Sequence, residues 1–190
     1  GLHFIKPYPS RQVNSVYFDT HELDDYVENV SGISNRMKTR VRWYNNDIQK
    51  LALEFKIKKN KASYKQVIKI KNSDLYNPRT RSGILSINQN IKKSIESLAL
   101  STKKPKIEVQ YERDYYLLGK DLRLTIDTNQ KFCKLSPYPS NNFIKSPVYG
   151  VAEFKYPANM QSLVQSILRD IPFRVFRHSK YVIGIDTVYS

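Results

Sequence analysis

Alternating cations and smaller or apolar side chains mark the segment from Asn35 to Tyr44. Because successive side chains of a β-strand point to opposite faces, a residue type that recurs at every second position lies on one face. On a helix the same spacing would scatter the charges around the cylinder. The segment is therefore predicted to be a strand with one cationic face and one face suited to packing. The recurring cations are Arg36, Lys38, Arg40 and Arg42.

The two segments that follow repeat this pattern. In residues 51–59, Leu, Phe and Ile alternate with Ala, Glu and Lys, which puts Glu54, Lys56 and Lys58 on one face. In residues 64–71, lysines again recur on one face. Turn-forming residues separate the three segments. Three short strands joined by short turns predict an antiparallel meander in which each strand has an apolar and a cationic face. The lysines of the third strand are Lys65, Lys69 and Lys71.

The rest of the chain adds further strands and a few helices. Asp19 and Thr20 offer an N-cap for a short acidic helix from Glu22 to Val30, which Ser31 and Gly32 end. Apolar residues at helical spacing predict a modest helix around residues 91–98 and a clear amphipathic helix at 160–171. Strands are predicted at 13–19, 106–118, 121–128 and 148–156, a loop at 129–147 and an irregular lead-in at 1–12, whereas the pattern assigns no element to 173–190.

The net charge of +15 is concentrated in the predicted meander. Residues 1–35 have a balance of −3, residues 36–71 have +10, and residues 72–190 have +8. The positive charge therefore belongs to folded strands, unlike that of a disordered basic tail. A surface of this kind favours a polyanionic partner: phosphate, polyphosphate, nucleic acid or an anionic membrane surface.

Several classes of protein are excluded by composition. The single cysteine, Cys133, rules out a disulfide framework and gives no zinc pattern, and we expect it to be inert in a loop. No apolar run approaches the ~20 residues that a membrane helix needs, so this chain by itself is expected to be soluble. Because the chain begins with Gly1, we expect a processed or partial form. A length of 190 residues suits one domain, 1–190.

The predicted fold class is α+β, an antiparallel β-barrel with flanking helices. If the sheet closes with its charged faces inward, the interior is a cationic tunnel. Such a tunnel would bind a chain of phosphates. Three carboxylates share faces with basic residues: Glu54, Glu153 and Asp127. Of these, Glu54 and Glu153 are the candidates to bind a divalent metal there. Either carboxylate could equally be a salt-bridge partner of a neighbouring Lys or Arg.

Six short motifs occur in order along the chain and together resemble the VTC domain, the polyphosphate polymerase of the triphosphate tunnel metalloenzyme superfamily. Each motif alone is weakly specific, and their common order over residues 13–186 carries the resemblance. The motifs are Val-Asn-Ser-Val-Tyr-Phe-Asp-Thr (13–20), Arg-x-Arg-Trp-Tyr (40–44), Leu-Glu-Phe-Lys (53–56), Leu-Arg-Leu-Thr-Ile-Asp (122–127), Val-Ala-Glu-Phe-Lys-Tyr-Pro (151–157) and His-Ser-Lys-Tyr (178–181).

The resemblance implies a tunnel that binds ATP and a growing polyphosphate, with Mn²⁺ or Mg²⁺ assisting. The terminal phosphate of the acceptor would attack the γ-phosphoryl group and release ADP. The implied phosphate-binding cations are Arg40, Arg42, Lys56, Lys65, Arg113, Arg123, Arg177 and Lys180, and the implied metal ligand is Glu153. Lys58 and Lys155 join the substrate-binding candidates because they share the cationic faces. The candidate catalytic residues are Arg40, Arg42, Arg123 and Lys180.

The chain departs from the family at its beginning. Family members open with a strand of alternating Glu and Lys and then a helix before the equivalent of Val13, and neither is found here. We therefore expect a tunnel that lacks its first strand, unless an N-terminal segment or another chain completes it. A regulatory SPX domain and a membrane anchor are not seen either. The expected location is the cytoplasm, or the cytosolic side of a membrane-associated complex.

Alternative functions stay open at this point. A polymerase passes the phosphoryl group to phosphate, whereas a tunnel triphosphatase passes it to water from triphosphate or a nucleoside triphosphate. A non-catalytic module would bind polyphosphate or RNA without turnover. RNA is less favoured because Tyr and Phe are predicted to lie mostly opposite the cations. Attachment to a membrane surface is least favoured because no basic amphipathic helix is found.

Overall fold

A computed structural model describes residues 3–60, 62–70, 102–135, 142–172 and 175–190. Eight strands and three α-helices make up this part of the chain, with a short 3₁₀ turn at Ala158–Met160. The strands are β1 (Arg11–Asp19), β2 (Arg36–Tyr44), β3 (Asp47–Lys59), β4 (Ala62–Lys69), β5 (Lys104–Leu118), β6 (Leu122–Lys134), β7 (Ile144–Lys145) and β8 (Gly150–Lys155). The helices are α1 (Asp24–Val30), α2 (Gln161–Arg169) and α3 (Lys180–Tyr189).

The strands form one antiparallel sheet that curls into a half-barrel. The strand order is β4-β3-β2-β1-β5-β6, and both β7 and β8 pair with β6. The described sheet is therefore open, with β4 at one edge. This architecture confirms the predicted antiparallel fold with flanking helices. Among the described helices, none combines the length and apolar character required to cross a bilayer.

The sheet has two different faces, which the register of the strands defines. Arg40 pairs with Tyr17 on one side and with Glu54 on the other, so these side chains lie on the same face. We call this the inner face. Helix α3 covers part of it, because Tyr181 and Ile185 of α3 pack in one buried cluster with Tyr17. The outer face has its own buried cluster, which contains Val16, Phe18, Val41, Trp43, Leu51, Leu53 and Phe55.

The first helix begins two residues later than predicted and its N-cap residue is Leu23, but Asp19 and Thr20 still supply the acceptors for its first turn. Helix α1 starts at Asp24, whose backbone N–H donates to the Thr20 hydroxyl at 3.1 Å. The buried Asp19 carboxylate accepts from the backbone N–H groups of Asp25 and Tyr26 at 2.9 and 3.1 Å. The orphan donors of the first turn are thus satisfied from the end of β1, as the sequence suggested.

The prediction of a loop over residues 129–147 was wrong for residues 129–134 and for Ile144–Lys145, whereas residues 136–141 lie outside the described part of the chain. Strand β6 continues to Lys134, Cys133 is buried within it, and β7 follows at Ile144–Lys145. The physical reason is a bulge: Asn129 has a φ of 52°, and the pairing of β5 with β6 shifts at this point. The extra residue changes the alternation, so that Asp127 and Phe132 both face inward. A search for strict alternation therefore loses the strand.

The C-terminal segment contains a helix that the pattern did not assign. Helix α3 is rich in β-branched residues, which favour strands in isolation, and its packing against the inner face overrides that preference. Helix α2 confirms the predicted amphipathic helix, although Val164 alone of its residues is buried and Leu163 is 38% exposed. The predicted helix around residues 91–98 and the prediction for Lys71 lie outside the described residues.

Candidate anion-binding site on the inner face

A buried carboxylate, Glu54, lies among three cations at the centre of the β2–β3–β4 meander. Arg40 reaches one of its oxygens with Nε at 2.7 Å and with a terminal nitrogen at 2.6 Å. Lys65 contacts the other oxygen, and Arg42 lies 3.8 Å away. Burial acts to raise the pKa of Glu54, but the charges of Arg40 and Arg42 and the hydrogen bond from Lys65 outweigh it and lower the pKa. The carboxylate is therefore ionised and fixes the orientation of its partners.

The two arginines of β2 are held by different neighbours. Arg42 is buried, and its guanidinium donates to the Ser15 hydroxyl at 3.2 Å and to the Tyr111 hydroxyl at 3.1 Å. Arg40 is partly exposed and donates to the Tyr17 hydroxyl at 2.9 Å. Arg42 is thus a fixed positive charge beneath the inner surface. Arg40 retains access to solvent and is the better placed of the two to meet a ligand.

Two tyrosines inside this cluster have shifted pKa values of opposite sign. Burial raises the pKa of Tyr17, but the charges of Arg40 and Arg42 favour the phenolate more strongly and bring the pKa down to about 8. Burial dominates at Tyr111 and raises its pKa to about 12. The ring of Tyr17 also stacks on Tyr181 with centroids 5.1 Å apart. Tyr17 therefore titrates close to neutral pH, and Tyr111 stays a phenol.

A second buried carboxylate, Asp127, organises the other side of the inner face. Arg113 donates two hydrogen bonds to it, at 2.6 and 2.7 Å, and Lys180 of α3 lies 2.6 Å from the same group. Although burial opposes ionisation, these two cations lower the pKa of Asp127. The Lys180 ammonium also lies 4.7 Å from the centre of the Tyr111 ring, above its face. Tyr111 thus links the two carboxylate centres.

The described inner face has more positive than negative charge. Five cations surround the two carboxylates, which leaves three positive charges uncompensated. Lys56 and Lys58 extend the row along β3, directly opposite Lys65 and Ser63. A surface of this kind is suited to an extended anion, because buried carboxylates orient the donors and the excess charge attracts the ligand. The five cations are Arg40, Arg42, Lys65, Arg113 and Lys180.

The remaining predicted residues are exposed, although the register places three of them, Arg123, Glu153 and Lys155, on the same face as Asp127. Glu153 and Lys155 lie on β8 with 3.7 Å between their charged groups, and each side chain is 52% exposed. Arg123 lies on β6, where it pairs with Lys155, and is also exposed. Arg177 is exposed in the segment that precedes α3. The structure therefore gathers part of the predicted set around Glu54 and Asp127 and places Arg123, Glu153 and Lys155 on an exposed part of the same face.

Sequence reasoning missed several inner-face residues. Tyr17 and Tyr111 lie among the cations, so the expectation that aromatic residues face away from them was wrong at these positions. Lys38 was noted only as part of the cationic row. Its ammonium donates to the Ser179 hydroxyl at 2.8 Å, and burial lowers its pKa to about 8. The strand pairing that places these residues could not be read from one strand at a time.

The two predicted metal ligands differ in their fitness for a cation. Glu54 is already neutralised by its three cationic neighbours, so its environment repels Mg²⁺ or Mn²⁺. Glu153 is exposed, with only Lys155 nearby among the described ion pairs. Within the described residues, no group of three or more His, Cys, Asp or Glu side chains could hold a metal. Mg²⁺ often binds through one carboxylate plus substrate phosphates, and Glu153 fits that arrangement as a single ligand.

An antiparallel sheet curled around an inner face of ordered cations defines the triphosphate-tunnel class of proteins. The protein is similar to a Pyrococcus horikoshii protein structure, with 14% identity, 98% of this chain and 88% of that chain covered, and a TM-score of 0.53. It is also similar to a putative adenylyl cyclase from Hippeastrum described as having a dominant triphosphatase activity (13% identity, 95% and 84% covered, TM-score 0.57). A third similar structure is that of a putative adenylate cyclase from Bacillus halodurans, with 14% identity, 95% of this chain and 83% of that chain covered, and a TM-score of 0.54.

The family is narrower than the fold. The family model of the VTC domain matches residues 5–189 of the sequence, and the chain therefore belongs to the VTC domain family. No curated protein sequence matches it. At 13–14% identity, the three solved structures speak for the fold alone.

Proposed function

We propose that the protein is a polyphosphate polymerase, which binds ATP and polyphosphate on the inner face and transfers the γ-phosphoryl group to the growing chain. The observation that carries this proposal is the pair of buried carboxylates, Glu54 and Asp127, each of which holds two or more cations in place. Membership of the VTC domain family supports the same reaction.

The arrangement suits a chain of phosphates. Guanidinium groups present planar, forked donors that match phosphate oxygens, and a carboxylate on one edge leaves the other edge available. Arg40 has part of this geometry: Glu54 binds Nε and one terminal nitrogen, the other terminal nitrogen donates one hydrogen bond to Tyr17, and the side chain remains partly exposed. Lys65 and Lys180 add point charges on either side of β1 and β2. Successive phosphates would thus meet positive charge from β4 across to α3.

The reaction requires little covalent help from the protein. Phosphoryl transfer depends on alignment and on neutralising the charge of the transferred group, so the proposal includes no protein nucleophile. Arg40, Arg42, Arg123 and Lys180 are assigned to stabilising the transferred phosphoryl group. The residues assigned to holding the rest of the substrate are Lys56, Lys58, Lys65, Arg113, Lys155 and Arg177.

Glu153 is the residue that would hold Mn²⁺ or Mg²⁺, and such an ion supplies charge neutralisation at phosphate oxygens. Glu54 has a different role in this proposal: it orients Arg40 and Lys65 and keeps them from repelling each other. Of the two predicted metal ligands, Glu153 is thus assigned to the metal and Glu54 to orienting the cations.

A triphosphatase is the second candidate. The Hippeastrum structure has the same fold and is described as having a dominant triphosphatase activity. The two reactions share binding, alignment and leaving group, and they differ in whether phosphate or water is the acceptor. The inner-face cations would serve either one.

Incubation of the purified protein with ATP and Mn²⁺, with products separated on a polyacrylamide gel, tests the proposal. We expect long polyphosphate chains from the wild type and a loss of about 10- to 100-fold in Arg40→Ala, because charge-assisted hydrogen bonds are worth about 1.5–3 kcal/mol each. Lys50→Ala is a matched control, since Lys50 is an exposed β3 cation that pairs only with Asp47 among the described residues. Inorganic phosphate without chains would establish the triphosphatase instead. Binding without any turnover would indicate a non-catalytic module.

A further inference from the structure

Three tyrosine rings surround the Arg11 guanidinium at the start of β1. Its central carbon lies 5.0 Å from the ring centre of Tyr115, 5.4 Å from that of Tyr8 and 5.5 Å from that of Tyr44. The rings come from β5, from the segment before β1 and from the end of β2, so tertiary structure alone assembles them. We call Tyr8, Tyr44 and Tyr115 together the tyrosine cluster.

The tyrosine cluster continues the cationic row of the inner face. Arg11 is the strand partner of Arg113, and Tyr44 comes two positions after Arg42 on the same face of β2. Helix α3 begins beside Asp127 and runs toward the other end of the strands, where Gly184 lies against Ile107. An anion bound at Arg40, above the buried charge of Arg42, would therefore lie on the same face of β2 as Tyr44 and could direct one end at the tyrosine cluster.

The cluster is open to a ligand. The side chains of Tyr8 and Tyr44 are 53% and 36% exposed. Arg11 forms no ion pair within the described part of the chain, whereas Arg40 and Arg113 are each bound to a carboxylate. Exposed aromatic rings beside a guanidinium without a counter-charge are the elements of a stacking site for a flat, anion-bearing molecule.

Anchoring of the N-terminal segment does not account for the cluster. Ile5 exchanges two backbone hydrogen bonds with Leu117, at 2.9 and 2.8 Å, and Lys6 pairs with Asp114 at 2.6 Å. These contacts already attach residues before β1 to β5. They do not require two tyrosine rings to stay at the surface, where large apolar surface is unfavourable unless it is covered.

We propose that the tyrosine cluster is a nucleobase site, in which the base of a nucleoside triphosphate stacks while its phosphates lie along the inner-face cations. This rests on the proposed function, because it presumes that the inner face binds phosphates. Stacking on an aromatic ring does not distinguish one base from another, so both ATP and GTP would bind. The site gives the protein a preference for a nucleoside triphosphate over inorganic tripolyphosphate of equal phosphate length.

Calorimetric titration with ATP and with inorganic tripolyphosphate, both without metal, tests this. In the Tyr8→Ala/Tyr44→Ala double variant we expect ATP affinity to fall about 5- to 100-fold, the range for loss of base stacking, with tripolyphosphate affinity unchanged. The Tyr8→Phe/Tyr44→Phe variant keeps the rings and should bind ATP like the wild type. Tyr64→Ala is the matched control, because Tyr64 is an exposed tyrosine that pairs with Ile57 on the outer face.

The outcomes separate the inference from the function beneath it. Equal losses for both ligands, or no loss for ATP, overturn the nucleobase site and leave the phosphate site intact. If the wild type binds tripolyphosphate as tightly as ATP, the nucleobase site is likewise overturned and the phosphate site is left intact. A wild type that binds neither ligand, either without metal or with Mn²⁺ present, overturns the proposed function and this inference together. Thermal unfolding of each variant confirms that the comparison is made between folded proteins.

Discussion

Arg113 and Asp127 face each other across β5 and β6, and the guanidinium donates two hydrogen bonds to the carboxylate, at 2.6 and 2.7 Å. Lys180 reaches the same carboxylate from α3. One buried acid thus joins the sheet to the C-terminal helix and also sets the positions of two candidate phosphate-binding cations. The ion pairs with Asp127 therefore stabilise the fold, and the same ion pairs reduce the positive charge that Arg113 and Lys180 can offer to a bound anion.

Replacing Asp127 with Asn should separate these two uses. Without the carboxylate, Arg113 and Lys180 are left close together with little exposure, and we expect the free energy of unfolding to fall by about 3 kcal/mol. In the folded variant, tripolyphosphate should bind more tightly because both cations lack an internal counter-ion. Urea unfolding and calorimetric titration measure the two effects. Asp121→Asn, at an exposed turn residue, is the control. An unchanged stability would contradict the central role of Asp127.

The two glutamates should respond differently to neutralisation. We expect Glu153→Gln to raise the Mn²⁺ concentration needed for half-maximal activity by at least about 10- to 100-fold, because loss of a residue that only orients a metal ligand already costs that much. Its stability should hardly change, because the side chain is exposed. Glu54→Gln should instead lower the melting temperature, because Arg40 and Arg42 lose their shared counter-charge. An effect of Glu54→Gln on metal dependence alone would contradict this division.

Tyr17 should give the protein a transition close to pH 8. Its folded pKa of about 8 lies below the ordinary value of 10.0. The stabilisation from its phenolate is therefore fully present above the unfolded pKa and is lost as the pH falls through 8. Affinity for tripolyphosphate should move the other way, decreasing as the pH rises through 8, because a phenolate beside Arg40 competes with the ligand.

Phenolate absorbance during a pH titration measures this directly, and Tyr17→Phe should remove the early transition. Lys38, whose pKa is also about 8, loses its charge over the same range and will remain as a weaker pH effect on affinity in that variant. The absorbance signal does not include lysine. A first tyrosine transition at pH 10 in the wild type would contradict the assignment.

Gly184 should be intolerant of a side chain despite lying in a helix. A Cβ there would come within 2.5 Å of the Ile107 side chain and 2.9 Å of the Phe132 ring, and both of these residues are buried. Alanine gains about 1 kcal/mol of helix propensity over glycine, but overpacking costs about 1–3 kcal/mol, so we expect a net loss of stability. Thermal unfolding of Gly184→Ala measures it. Gly119→Ala is not a matched control, because Gly119 has a φ of 63°.

The cationic strand and the meander that contains it could be predicted because both follow from a single local pattern, the alternation of side chains along a strand. A period of two in residues 36–44 and 51–59 fixes both the strand and the sides on which Arg40 and Glu54 lie. The amphipathic helix α2 was predictable for the same reason. Periodicity fails at Asn129, where the bulge changes the alternation, and in α3, where β-branched residues form a helix because the sheet packs against it.

The sequence by itself determined that one face of the sheet is cationic, since alternation is local and needs no partner strand. It also placed the candidate phosphate ligands Arg40 and Arg42 on that face, and the order of the motifs indicated the family. Tertiary structure decided which charges remain available. Asp127 meets Lys180 only after β6 and α3 pack together, and Arg11 meets its three tyrosines only after β1, β2 and β5 align. Ion pairs and ring contacts depend on distances between residues far apart in the chain, and those distances are set by packing.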